Sequence, residues 1–116
     1  MTWTIIFHPA FRDWLQEQEE DTQDSIAAML GLLKLEGPLL GRPYVDTLKG
    51  SQYPNLKELR VQHRGEPWRI LFAFDPLRQA IVLVGGNKTG DKRWYEKNMP
   101  IAENRFAEHL AELEGK

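Results

Sequence analysis

Three apolar runs crowd into the second half of the chain: "LKELRV" (56–61), "WRILFAF" (68–74) and "AIVLVGG" (80–86). Bounded by the turn signals "HRGE" and "DPLRQ", they read as strands. Gaps this short leave no room for the crossover that parallel neighbours need. The runs therefore predict an antiparallel meander, and the rest of the chain must cover it. Strand alternation puts Trp68, Ile70, Phe72 and Phe74 on one face, together with Leu59 and Val61. Glu58, Arg60 and Arg69 then share the other face, which reads as open. Two arginines there are costly if buried alone, so they require an acidic partner or a ligand bearing phosphates.

The flanking segments supply the cover. "TWTIIF" alternates around Trp3, Ile5 and Phe7 and predicts a first strand. Pro9 suits a first helical position, and Phe11, Trp14 and Leu15 follow at the i, i+3, i+4 spacing of one buried helix face. Asp21 and Thr22 offer an N-cap for a second helix, whose stripe is Ile26, Met29, Leu30 and Leu33. Gly37-Pro38 ends it, so two helices form a hairpin on one face of the sheet. Residues 38–55, rich in Pro and Gly, read as a long irregular connection. A closing helix beginning near Pro100 aligns Ala102, Phe106, Leu110 and Leu113. The expected order is β-α-α-β-β-β-α, a single α+β domain spanning residues 1–116.

Charge is segregated. Residues 1–37 carry a net −5, residues 38–97 a net +5 and residues 98–116 a net −2, which hides a basic middle inside a total of −2. With no cysteine, disulfides and thiolate zinc sites are excluded, and a reducing cytosol is the simplest compartment. The opening "MTWTIIFHPAF" lacks a basic n-region and a long apolar run, so neither a signal peptide nor a membrane span is expected.

The chemistry concentrates around "GGNKTGDKRWYEKNMP" (85–100). Gly85 and Gly90 have the separation of a nucleotide-binding P-loop, but Asp91 stands where the lysine belongs and would repel a phosphate. His8, His63 and His109 lack metal-ligand spacing, and neither a Gly-x-Ser-x-Gly elbow nor a Cys-His pair is present. Lys88, Lys92, Arg93 and Lys97 offer cations for phosphates, with Trp94 and Tyr95 as ring faces for bases. The competing reading is a solvated basic loop with Trp94 plugging the core edge, and Asp91 or Glu96 neutralising a lysine.

Together "LKELRV", "GEPWRILFAFD", "AIVLVGGNKTGDK" and "IAENRFAEHL" resemble the RelE/ParE toxin superfamily, in particular its phage-derived, HigB-like branch, over nearly the whole chain. The resemblance implies a RelE-like fold and a cytoplasmic toxin of a type II toxin–antitoxin module. It implies an mRNA endonuclease, ribosome-associated, in which the 2′-hydroxyl of RNA attacks the adjacent phosphate and no metal or other cofactor takes part. By the same resemblance Arg60 and Arg69 bind the scissile phosphate, and Tyr95 or Lys92 serves as general acid or base. Lys57, Lys88, Arg93 and Trp94 are RNA-binding candidates; Lys57 shares the inward parity of Leu59, and Trp94 stacks or is structural. The implied partner is a helix-turn-helix, HigA-like antitoxin in a hetero-oligomer. Two other outcomes stay open: a non-catalytic ParE-like inhibitor of DNA gyrase, and an inactive relic that only binds its antitoxin.

Overall fold

Residues 2–115 are described by a computed structural model. Its elements are β1 (Thr4–Phe7), α1 (Pro9–Gln16), α2 (Glu20–Glu36), β2 (Val45–Thr47), β3 (Leu56–His63), β4 (Glu66–Phe74), β5 (Gln79–Asn87) and α3 (Trp94–Glu114). Strands β3, β4 and β5 form the expected antiparallel meander. The β3–β4 turn is as short as hairpins allow: Arg64 and Gly65 both take positive φ, 53° and 75°, as a two-residue type I′ turn requires. β1 adds to the far edge of β5 in parallel, giving the mixed order β1-β5-β4-β3-β2.

Each face of the sheet carries its own core. Under α1 and α2 lie Phe11, Ile26, Leu33, Leu59, Ile70, Phe72 and Val82, all fully buried. A run of tilted and edge-on aromatic contacts, Phe7–Phe11–Trp14–Trp68, lies in the same layer. Under α3 lie Leu56, Leu71, Ala73, Leu83, Ala102 and Phe106. Each large apolar side chain buried this way contributes about 1.5–3 kcal/mol.

A bulge in β5 governs how the faces are populated. Leu71 pairs with Val84 but Phe72 with Val82, so Leu83 has no partner on β4, and the alternation of β5 slips by one residue. Ala80 and Val82 face the hairpin side, whereas Leu83 and Val84 both belong to the α3 side. After the bulge Gly85 therefore meets α1 and Gly86 meets α3. A Cβ on Gly85 would come 2.4 Å from the Trp14 ring, and one on Gly86 2.6 Å from Trp94 Nε1. The paired glycines of the basic stretch thus exist to let two tryptophans lie against the sheet, one on each face. Arg105 Nη1 donates to the Leu83 carbonyl at 2.7 Å, satisfying a backbone group at the bulge.

Four expectations are corrected. The segment 38–55 contains a short edge strand, β2, which pairs with β3 at Val45–Leu59 through Thr47–Lys57. Helix α2 begins at Glu20 with Glu19 as its cap residue, ahead of Asp21 and Thr22. Helix α3 begins at Trp94, not near Pro100, because Asp91 has already turned the chain: its Oδ1 accepts the Arg93 amide and its carbonyl the Trp94 amide. The sheet face expected to be open is covered by α3, so Glu58 is buried.

One buried polar pair locks the β4–β5 turn onto α3. Asp75 accepts from the Leu77 and Gln79 amides, the Gln79 side chain, and His109 Nε2 at 2.7 Å. Burial opposes ionisation of Asp75, but those hydrogen bonds outweigh it and hold the carboxyl below its ordinary pKa. Because the folded-state value is depressed, this stabilisation is present above the unfolded pKa of about 3.9 and is lost as pH falls through the folded value. Asp75→Asn should cost about 1–3 kcal/mol at neutral pH by urea unfolding, with the deficit against wild type shrinking below about pH 4. Gly86→Ala should cost about 1–3 kcal/mol by the same measurement, since Trp94 must shift.

Candidate active site

Strand alternation brings Glu58 and Arg60 of β3 to the α3-side face, and Arg69 of β4 is the cross-strand neighbour of Arg60. The first turn of α3 lowers Tyr95 onto them. Tyr95 Oη donates a short hydrogen bond to Glu58 Oε1 and accepts one from Arg69 Nε at 3.3 Å. Arg69 Nε is also 3.6 Å from Glu58 Oε1. The other carboxylate oxygen, Glu58 Oε2, is 3.3 Å from Arg60 Nη2. Arg60 Nη2 in turn lies 3.3 Å from Asp46 Oδ2 of β2, and Arg42 Nη2 caps that carboxylate at 3.0 Å.

The two arginines thus have acidic partners, but the balance is not closed. Glu58 is 8% and Arg69 12% exposed at the side chain, so their mutual attraction is little screened by solvent. Arg60 Nε is buried without a hydrogen-bond partner. Lys88 Nζ adds a further cation 5.2 Å from the Tyr95 ring centroid. The hydrogen bonds from Arg42 and the Thr47 amide, with the charges of Arg42 and Arg60, lower the Asp46 pKa against a smaller opposing effect of desolvation. For Tyr95, burial is the chief cause of a raised pKa, reinforced by the hydrogen bond to Glu58 and its negative charge and only partly offset by Arg69. The phenol is protonated at neutral pH, as a tyrosine of the ordinary value of about 10 also is, so a proton is present there to donate.

Of the candidates read from sequence, Arg60, Arg69, Tyr95 and Lys88 come together. Lys57 faces away: it lies on the hairpin side, with Nζ 3.2 Å from Thr47 Oγ1 at the sheet edge. Lys92 and Arg93 are exposed in the turn before α3, and Lys97 pairs with Asp91 at 3.3 Å. Trp94 is 5% exposed and packs over Gly86, so it offers no free ring face to a base. The sequence places Glu58 on the face of Arg60 and Arg69 but gives it no role, and nothing in it singles out Asp46. The signal for Glu58 was its place amid "LKELRV" with the parity of Arg60; Asp46 lay in a stretch with no periodicity. Among the described residues, no group of three His, Cys, Asp or Glu side chains is placed to hold a metal.

Two hollows flank the cluster. One, about 350 Å³, is lined by Asp46, Thr47, Lys49, Glu58, Tyr95 and Met99. The other, about 560 Å³, opens toward α2 and is lined by Arg60 and Arg69. A third hollow of about 350 Å³, around His8 and Glu108, lies at the opposite end of α3 and touches none of these groups.

Comparison with known proteins agrees with this architecture. Residues 13–107 match the family model described as phage-derived protein Gp49-like (DUF891). The chain is 46% identical over 112 residues to a Mycobacterium tuberculosis protein named as a candidate toxin, HigB3, covering 96% of each. It is 48% identical over 103 residues to a second, HigB2, from the same organism, covering 87% of this chain and 51% of that longer protein. Among solved structures, an arginine-to-alanine double mutant of the E. coli toxin RelE in the free state superposes with a TM-score of 0.62 at 13% identity. That match covers 90% of this chain and 98% of RelE, and it establishes a shared fold.

The Tyr95–Glu58 contact has a direct readout. The sequence has three tyrosines. In an ultraviolet titration one of them should ionise above the usual value of about 10, and Glu58→Gln should move that phenol back down. An unchanged titration in Glu58→Gln would break the electrostatic link between the two groups.

Proposed function

We propose that this chain, which belongs to the phage-derived Gp49-like family, is the toxin of a type II toxin–antitoxin module and acts by cutting RNA at the Glu58–Arg60–Arg69–Tyr95 cluster. The observation that carries the reading is a protonated phenol held between a buried carboxylate and a guanidinium, with a second guanidinium on the same carboxylate. That set contains a proton acceptor, a proton donor and two cations within hydrogen-bond reach of one another, which is what transesterification at a phosphodiester demands.

The steps balance without a further reactant. RNA enters with one phosphate against Arg60 and Arg69, displacing part of their attraction to Glu58. The Glu58 carboxylate takes the proton of the 2′-hydroxyl, and that oxygen attacks the adjacent phosphorus. The two guanidiniums stabilise charge on the non-bridging oxygens as the bond to the 5′ oxygen breaks. Tyr95 delivers its proton to the departing 5′ oxygen and recovers one from Glu58 through their shared hydrogen bond. The products are a 2′,3′-cyclic phosphate and a 5′-hydroxyl, and both side chains return to their starting states. Lys88, Lys92 and Arg93 supply a basic approach for the rest of the RNA backbone. The target is mRNA on the ribosome in the cytoplasm, and the restraining partner is a helix-turn-helix antitoxin of the HigA kind.

Induced expression in a bacterial host, with mapping of new RNA 5′ ends, tests this reading. Wild type should arrest growth with discrete new ends, and Arg69→Ala should lose both while remaining folded. Growth arrest with intact mRNA would transfer the activity to another target such as DNA gyrase, and no arrest would mark a binding-only chain. In vitro, Tyr95→Phe should slow cleavage by about 10²-fold or more. Glu58→Gln separates base from counter-ion: it should lower kcat while RNA binding tightens, because an anion competing with the phosphate is gone. Weaker RNA binding in Glu58→Gln would make Glu58 a scaffold for the arginines and nothing more.

A further inference from the structure

The second hollow beside the cluster has no part in the proton transfers, yet its wall is chemically selective. β2 pairs with β3 only as far as Leu59, and the last link is the Arg60 amide donating to the Tyr44 carbonyl at 2.7 Å. Beyond that point a groove of about 560 Å³ runs between the edge of β3 and α2. Arg60 and Arg69 line it, together with the apolar Met29 and the polar side chains of Tyr44, Ser25 and Gln62. Tyr44 is 45% exposed, a large ring left in solvent at the mouth of a cationic groove. A neutral apolar ligand would waste the two guanidiniums, and a bare phosphate would waste the ring. A nucleotide uses both.

The groove also has a polar group of defined sense. Ser25 Oγ lies 2.7 Å from His63 Nδ1, and the other ring nitrogen, Nε2, is buried 3.7 Å from Asp21 Oδ2. Asp21 Oδ2 is held by Arg64 and lies beyond hydrogen-bond reach of Nε2, but its negative charge favours the tautomer with the proton on that nitrogen, which leaves Nδ1 to accept. Ser25 then spends its own proton on His63 and presents Oγ to the groove as an acceptor. An acceptor there favours a base carrying an exocyclic amine.

Resting on the RNA-cutting reading, we propose that this groove is the subsite for the nucleotide on the 3′ side of the cut. Its base stacks on Tyr44, and Ser25 selects the amine-bearing bases adenine, cytosine and guanine over uracil. The placement follows from the base: Glu58, which takes the 2′-hydroxyl proton, lines the neighbouring hollow and not this groove, so the nucleotide that carries that hydroxyl lies there. The phosphate bridges at Arg60 and Arg69, and the next nucleotide falls on the α2 side.

The test maps cleavage ends produced in vitro by wild type, Tyr44→Ala and Ser25→Ala on a mixed-sequence mRNA loaded on ribosomes. It then measures cleavage of one mapped site made with a normal or an abasic residue 3′ of the cut. Wild type should show depletion of uracil at that position, and Ser25→Ala should lose that bias. Tyr44→Ala should lower kcat/KM about tenfold on normal RNA, the order of one base–aromatic stack, and leave cleavage of the abasic RNA unchanged. Equal loss on both RNAs, or no loss on either, overturns the stacking role, and an unaltered base profile in Ser25→Ala overturns the selection. Wild-type protein that cuts no RNA at all defeats the RNA-cutting reading itself, so the two failures are distinguishable.

Discussion

The architecture turns on one irregularity, the bulge that leaves Leu83 without a partner on β4. By slipping the alternation of β5 it aims Gly85 at α1 and Gly86 at α3, and each glycine receives a tryptophan ring. Trp94 seated on Gly86 fixes the start of α3, and the next residue, Tyr95, is thereby set over Glu58. Without the slip, Gly86 would face the hairpin, and the aromatic anchor of α3 would meet a strand with no space for it. Arg105 secures the same place from further along α3 by bonding the Leu83 carbonyl. A backbone defect, two missing side chains and one buried cation therefore position the chemistry.

What they position is a charge arrangement that solvent alone would not favour. Glu58 and Arg69 are nearly dry, and burying either without the other would be strongly unfavourable. Held together, they form a site already provided with its counter-ion, in which an incoming phosphate competes with a carboxylate for the same guanidiniums. The competition explains how a chain with a net charge of −2 can present a cationic site. Acids predominate in the first 37 residues and toward the far end of α3, while Arg60, Arg69 and Lys88 of the middle segment converge beneath the first turn of α3.

Much of this was legible beforehand. The meander, the helical hairpin, the inward faces of β3 and β4, and the convergence of Arg60 with Arg69 all follow from period-2 and period-3.6 patterns and turn chemistry. The start of α3 was not, because Pro100 resembles a helix opening and the Asp91 turn that opens the helix earlier leaves only a faint local trace. β2 escaped for a similar reason: three residues held by β3 carry no periodicity of their own. Trp94 and Tyr95 are adjacent and alike in composition, yet one is a core anchor and the other reaches the carboxylate. Which is which depends on their angular positions around α3 above Gly86, a property of packing alone.

The sequence by itself determined the order of the elements other than β2, the apolar sheet face under the helical hairpin and the gathering of cations in the middle half of the chain. Those are local consequences of side-chain spacing and of where Gly and Pro permit the chain to turn. Tertiary structure alone decided that the arginine face is roofed, that Glu58 and Asp46 sit among the cations, and that the Tyr95 phenol is held above its ordinary pKa. Each depends on distances between elements far apart in sequence, and electrostatic strength is set by such distances and by burial.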